Sequence, residues 1–178
     1  MTAAAKILLE GLKLLEPYSA HVRTSGCKSE ETIREAEALL ALKFPPSYRL
    51  FLSTFGEMDF MAQEFFGILD DDLERDLKSK TSAIGWTLDK RENTILPFEK
   101  RFPKEMFKIG DVGDGSFYCI DTRIMYFDQE SPIVLWTPGA DERTELRLEV
   151  TDIDYGSYFL QMVTWQIEYH EEELKGKD

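Results

Sequence analysis

Apolar residues recur at helical spacing through the first third of the chain and drift towards alternation in its second half. Over residues 3–16, Ile7, Leu8, Leu12 and Leu15 share one helical face, and Pro17 ends the run. Leu9 and Leu14 lie partly off that face, so this helix either buries two sides or meets a partner. Burial against its own domain is the simpler expectation. Residues 18–28, with His21, Thr24, Ser25 and Gly26, read as a linker. Ser29 then suits an N-cap, because its hydroxyl can accept a free amide of the first turn, and Glu30 and Glu31 complement the helix dipole. Ile33, Ala36, Leu39 and Leu40 form the stripe of a helix running to about Ala41. Tyr48, Phe51, Leu52 and Phe55 follow the i, i+3, i+4, i+7 pattern of a third helix. Pro46 fits its first turn and Gly56 fits its left-handed close.

Beyond Gly56 the pattern shortens. Phe65 to Leu69 reads as a strand, Leu73 to Leu77 as a helical turn, and Ser82 to Glu92 as a helix weakened by Gly85. Pro97 and Pro103 bracket a loop. Phe107–Ile109, Phe117–Asp121, Met125–Asp128 and Ile133–Thr137 read as strands, and their close spacing implies an antiparallel meander. A last helix is expected from about Tyr155 to Glu172, capped by Asp154, with Phe159, Met162, Val163 and Gln166 or Ile167 inward. Glu171, Glu172 and Glu173 oppose the dipole at its C-terminus, so its end is expected to fray. The sum is an α+β single domain: a mostly antiparallel sheet of about 4–6 strands with helices packed on it. Residues 1–24 form an N-terminal helix and linker, 25–172 the main unit, and 173–178 a frayed tail.

Length and composition narrow the function. A chain of 178 residues with 43% hydrophobic and 12% aromatic content has the means for one packed core. Its net charge is −13, with Lys and Arg interspersed among acids rather than clustered. Such a field repels phosphate backbones and anionic membranes, and it speeds encounter with a cationic partner. The longest apolar run, Ala38 to Leu42, is far too short to span a bilayer. Glu10, Lys13 and Glu16 interrupt any signal-peptide core, so a soluble, cytoplasmic protein is expected.

Candidate chemistry is sparse. His21 and His170 lie at opposite ends of the chain, and Cys27 and Cys119 are far apart, so neither a zinc site nor a Ser–His or Cys–His pair is expected. Cys119 sits in the apolar run Phe117–Ile120 and should be buried and inert, whereas Cys27 follows Ser25-Gly26 in a loop and should be exposed. Gly110–Gly115 lacks the Gly-Lys-Ser/Thr of a phosphate loop and the late Glu of a calcium loop, and reads as a strand-connecting turn. No cofactor or metal is expected. Asp70, Asp71 and Asp72, together with Asp111 and Asp114, are the candidate partner-binding acids; a plain solvated surface is their simplest alternative. Phe60, Phe65, Phe66, Phe98, Phe102 and Phe107 suit a core, and an exposed aromatic beside acids would suit an interface.

Four segments resemble the SUKH superfamily, which includes fungal cell-wall assembly regulators and bacterial immunity proteins of polymorphic toxin systems. Phe44-Pro45-Pro46-Ser47-Tyr48 followed by Phe51-Leu52 and Gly56 is similar to the family's Leu-Pro-x-x-Tyr-x-x-Phe-Leu-x-x-x-Gly segment. Ile109-Gly110-Asp111 through Gly113-Asp114-Gly115 to Tyr118-Cys119-Ile120-Asp121 resembles its Ile-Gly, Gly-Asp hairpin. Pro132-Ile133-Val134-Leu135-Trp136 and Asp152 to Leu160 resemble its Pro-Val strand and its last helix start. Phe44 replaces a usual Leu, Gly115-Ser116 a usual Gly-Asp, and Tyr155-Gly156-Ser157 a usual Ser-Phe. The match runs from about Ser29 to Val163 and leaves out the N-terminal helix. The resemblance implies a binding module rather than an enzyme. Within it, an immunity protein that blocks a basic, nuclease-like toxin domain agrees best with the −13 charge. A regulatory scaffold of the cell-wall type and a carboxylate-dependent hydrolase are the alternatives.

Overall fold

The computed structural model describes residues 1–79, 82–92, 101–126, 128–137, 147–150 and 153–175. Each of the first helices starts and stops where its sequence signals sit. In α1 (Ala3–Leu15) the Thr2 hydroxyl accepts the Ala5 amide at 3.1 Å. In α2 (Glu30–Leu40) Ser29 accepts the Thr32 amide at 3.0 Å, and Ala41 closes the helix at φ 52°. In α3 (Pro46–Phe55) Pro46 occupies the first turn, and Gly56 ends the helix at φ 68°. The segment expected to be a linker is structured: a 3₁₀ helix (Glu16–His21) leads into β1 (Val22–Thr24). Residue periodicity is uninformative for so short a strand, and pairing decides it. Val22 faces Phe60 of β2 (Met58–Phe60), which also pairs with β3 (Gln63–Phe65), giving a three-stranded antiparallel sheet.

The strand expected over Phe65–Leu69 sits earlier, because the later amides are taken by other partners. Phe66 donates to the Ile109 carbonyl, Ile68 to the Gly56 carbonyl and Leu69 to the Asp76 carboxylate. Two short helices follow, α4 (Leu73–Lys78) and α5 (Ala83–Glu92). A four-stranded antiparallel meander then runs through β4 (Met106–Asp111), β5 (Phe117–Asp121), β6 (Ile133–Thr137) and β7 (Arg147–Val150). The α+β class and the antiparallel pairing are as expected, with the strands divided between two sheets. The described part of Met125–Asp128 is not a strand. It is a turn in which Tyr126 donates to the Glu130 carbonyl and Gln129 adopts φ 67°. The fourth strand, β7, carried no assignment from its pattern. Pro97, Phe98, Asp152 and the tail beyond residue 175 lie outside the described residues.

The chain's last described element, α6 (Tyr155–Lys175), begins where the Asp154 carboxylate accepts the Ser157 amide. It lies along α1, and two glycines permit the close approach. A Cβ at Gly156 would overlap the Ala4 carbonyl, and one at Gly11 would overlap the Phe159 ring. The helix that falls outside the family resemblance therefore packs on its own domain. The main core joins Leu8, Ile33, Leu40, Tyr48, Phe51, Phe65, Phe107, Tyr155 and Phe159, all buried. A second cluster on the other side of the meander joins Phe102, Met106, Cys119, Val134 and Trp136, with Trp86 and Phe117 against it. Burying one such large side chain contributes about 1.5–3 kcal/mol.

Candidate functional site

The acids at 70–72 do local work before they do anything else. The Asp70 carboxylate accepts the Asp72 amide at 2.9 Å, and Asp72 caps α4 by accepting the Glu74 amide at 3.0 Å. Such side-chain turns are what Asp offers a chain reversal. Asp71 is free of these duties. Its carboxylate is exposed and stands 3.4 Å from the Lys28 ammonium. Lys28 itself is buried, and its ammonium donates to the Ser25 and Leu69 carbonyls. Beneath the turn, buried Asp76 accepts the Leu69 and Asp70 amides and the Ser82 hydroxyl.

Asp111 and Asp114 shape the turn that ends β4. Asp111 accepts the Gly113 amide at 2.9 Å, and Asp114 accepts the Ser116 amide at 2.8 Å. That backbone hydrogen bond holds the Asp114 carboxyl below its usual range. Gly113 and Gly115 take φ 90° and 92°, which the turn requires. Asp111 also faces the buried Lys108 ammonium at 3.4 Å. Lys108 lies over the rings of Phe66, Phe117 and Trp86, at 4.3, 4.5 and 4.8 Å from their centroids. Burial lowers its pKa, and Asp111 works against that shift.

No hydrogen bond or ion pair among the described residues joins the two turns. They are linked through charge. Glu64 on β3 acts electrostatically both on Lys108 and on Glu57, and Glu57 in turn feels Asp76 and Lys28. Burial, reinforced by Asp76 and Glu64, pushes the Glu57 carboxyl up to about 7, although the Gly67 amide and Lys28 oppose it. Each acidic turn therefore stands over its own buried lysine, Lys28 beside Asp71 and Lys108 beside Asp111.

A second region has the opposite arrangement, and no motif in the sequence signalled it. A cleft of about 470 Å³ opens between α2, the start of α3 and the turn before β6; Arg34, Lys43 and Arg49 line it. At its floor Glu37 is buried and accepts from Lys43, from the Phe44 amide and from Arg49. Burial alone raises a carboxyl pKa, but these donors outweigh it and the Glu37 pKa falls. Arg49 also forks onto both oxygens of Glu30 at 2.6 Å, and Arg34 pairs with Glu30. Nearby, buried Glu130 accepts the Ser47 amide, the Ser47 hydroxyl and the Thr2 hydroxyl. The one signal of this region that the sequence carries is the Glu30–Arg34 spacing of four, which the helix pattern left unremarked. The rest depends on the α2–α3 turn.

The remaining candidates fall as follows. Cys119 is buried, which raises its thiol pKa far above normal. Cys27 is exposed, and its thiol donates to the Thr54 carbonyl at 3.1 Å. Phe60, Phe65, Phe66, Phe102 and Phe107 are buried; among the described residues the exposed aromatics are Trp165 and Tyr169, adjacent on α6 with ring centroids 6.1 Å apart. His21 and His170 are not kept apart as their sequence separation suggested. Their ring centroids are 5.5 Å apart. Among the described residues no group of three or more His, Cys, Asp or Glu is placed to hold a metal. No described helix is long and apolar enough to cross a membrane.

A family model described as SUKH_6: SMI1-KNR4 cell-wall matches residues 30–149. The chain belongs to the SUKH superfamily. The SUKH match begins with α2 and ends within β7, so it takes in both acidic turns and the cationic cleft, but neither α1 nor α6. None of the curated proteins matches the chain.

Proposed function

We propose that this SUKH protein is a non-enzymatic, cytoplasmic binding module that neutralises a basic, nuclease-like toxin domain. The observation that carries this reading is exposed acid: Asp71, Asp72, Asp111 and Asp114 all stand at the surface of a chain of net charge −13. A phosphate-binding surface is basic, so such a chain steers towards it and competes with nucleic acid for it. Asp70 supports Asp72 from beneath. Residues 25–172 are the binding unit, and α1, the 3₁₀ helix and β1 of residues 1–24 pack on it rather than link it to anything else. The test starts with capture of the partner from the native host at low salt. One stoichiometric basic partner is expected, toxic alone and harmless when this chain is co-expressed. Its association rate should fall steeply with salt, and charge reversal by Asp71→Lys with Asp111→Lys should slow it by tenfold or more. A rate indifferent to salt, or no rescue, would defeat the proposal. The cell-wall description of the family favours a second reading, a regulatory scaffold, which predicts several weaker partners and no rescue.

A further inference from the structure

The two histidines of the chain come together although they begin at opposite ends of it. His21 ends the 3₁₀ helix, and His170 lies near the C-terminal end of α6. Both supporting segments are held in place. The Tyr18 hydroxyl donates to Glu171 at 3.1 Å, clamping the 3₁₀ segment to α6 one residue from His170. On the other side, Val22 is paired with Phe60 in the sheet. Neither imidazole has a hydrogen bond or ion pair among the described residues; their recorded contact is with each other, tilted at 56°.

Two imidazoles that share one tetrahedral ion, with metal–nitrogen bonds of about 2.0–2.1 Å, place their ring centres roughly 5–5.5 Å apart. The observed separation is 5.5 Å. The surroundings suit a cation. His170 is followed by Glu171, Glu172 and Glu173. Arg23, which lines the same cleft as His21, is engaged by Asp59 at 2.9 Å. That cleft has a volume of about 270 Å³, and Asp59 lines it too.

We propose that His21 and His170 form a two-histidine site for a borderline transition ion, Zn²⁺ or Cu²⁺, which staples the 3₁₀ segment to the end of α6. Neutral imidazole favours such ions over Mg²⁺ or Ca²⁺, which take oxygen ligands. Water completes the coordination shell. The site is independent of the acidic turns and of toxin binding.

The experiment is calorimetric titration of Zn²⁺, and separately of Mg²⁺, into the chelator-treated full chain. It is done on a Cys27→Ser background, so that the exposed thiol cannot serve as the ligand. One saturable Zn²⁺ equivalent is expected, with none for Mg²⁺, together with a rise in thermal midpoint. His21→Gln and His170→Gln should each weaken Zn²⁺ binding at least tenfold while leaving the metal-free circular dichroism spectrum unchanged. Imidazole nitrogen resonances of both histidines should shift on Zn²⁺ addition, which reads the site without any variant. No saturable binding, unshifted imidazole resonances, or full binding by both variants would overturn the proposal.

Discussion

Glu37 and Glu57 are the same residue in opposite surroundings, and the contrast explains how this protein handles buried charge. Glu37 lies on the floor of the cationic cleft, with donors from Lys43, Phe44 and Arg49 converging on it. Glu57 lies just beyond α3, where one carboxylate oxygen is buried without a hydrogen-bond partner among the described residues and its charged neighbours include Asp76 and Glu64. Burial penalises both anions. Donors overcome the penalty in the first case and fail to in the second, so one pKa falls and the other rises. The lysines mirror this. Lys28 and Lys108 are buried under acids and satisfied by carbonyls and ring faces, whereas the cleft's Arg34 and Lys43 are exposed.

The contrast is broken most severely at Glu37. Glu37→Ala strands the Phe44 amide and leaves Arg49 short of a carboxylate, and is expected to cost about 3–5 kcal/mol. Urea unfolding at pH 7 measures this; a loss below 1 kcal/mol would mean that the network does not hold α2 to α3.

The pH responses should run in opposite directions. Glu57 binds its proton more tightly folded than unfolded, its pKa rising from an ordinary 4.5 to about 7. Its contribution is therefore complete below pH 4.5 and lost as pH rises through 7. Glu57→Gln should match the parent near pH 4 and exceed it by roughly 1–2 kcal/mol at pH 8. Glu37 has the reverse sign. Its contribution is present above the usual carboxylate range and fades as pH falls through its depressed pKa. Stability profiles of Glu57→Gln and Glu37→Gln against pH that run parallel to each other would contradict this assignment.

Lys108→Met keeps the volume inside the Phe66, Trp86 and Phe117 cage and removes the buried charge. Asp111 is left exposed to water, so stability should stay within about 1 kcal/mol of the parent. A larger loss in thermal unfolding would show that the ring faces hold the ammonium more strongly than its desolvation costs. Smallest of all is Arg34→Ala. This exposed partner of exposed Glu30 should cost less than about 0.5 kcal/mol, and a differential scan should barely register it.

Helix boundaries were legible because capping residues signal them locally. Thr2 was not singled out, but Ser29, Gly56 and Asp154 all cap or close where their chemistry suggests. The candidate acids were legible as exposed charge, yet most of them prove to be turn formers, with Asp71 left freest to meet a partner. The Arg34–Lys43–Arg49 cleft and the His21–His170 pair were not legible. Each joins residues whose sequence spacing carries no period, and sequence distance says little about distance across a packed helix pair.

The sequence by itself determined the main helices, the strands β4 to β6 of the meander, the family and the sign of the field, because caps, turns and net charge are local or additive properties. Tertiary structure alone decided the division into two sheets, the clamp of the 3₁₀ segment onto α6, and which carboxylates hold protons. Those outcomes depend on what surrounds a group in space. Two glutamates with the same side chain differ in pKa because packing gave one of them donors and the other more acids.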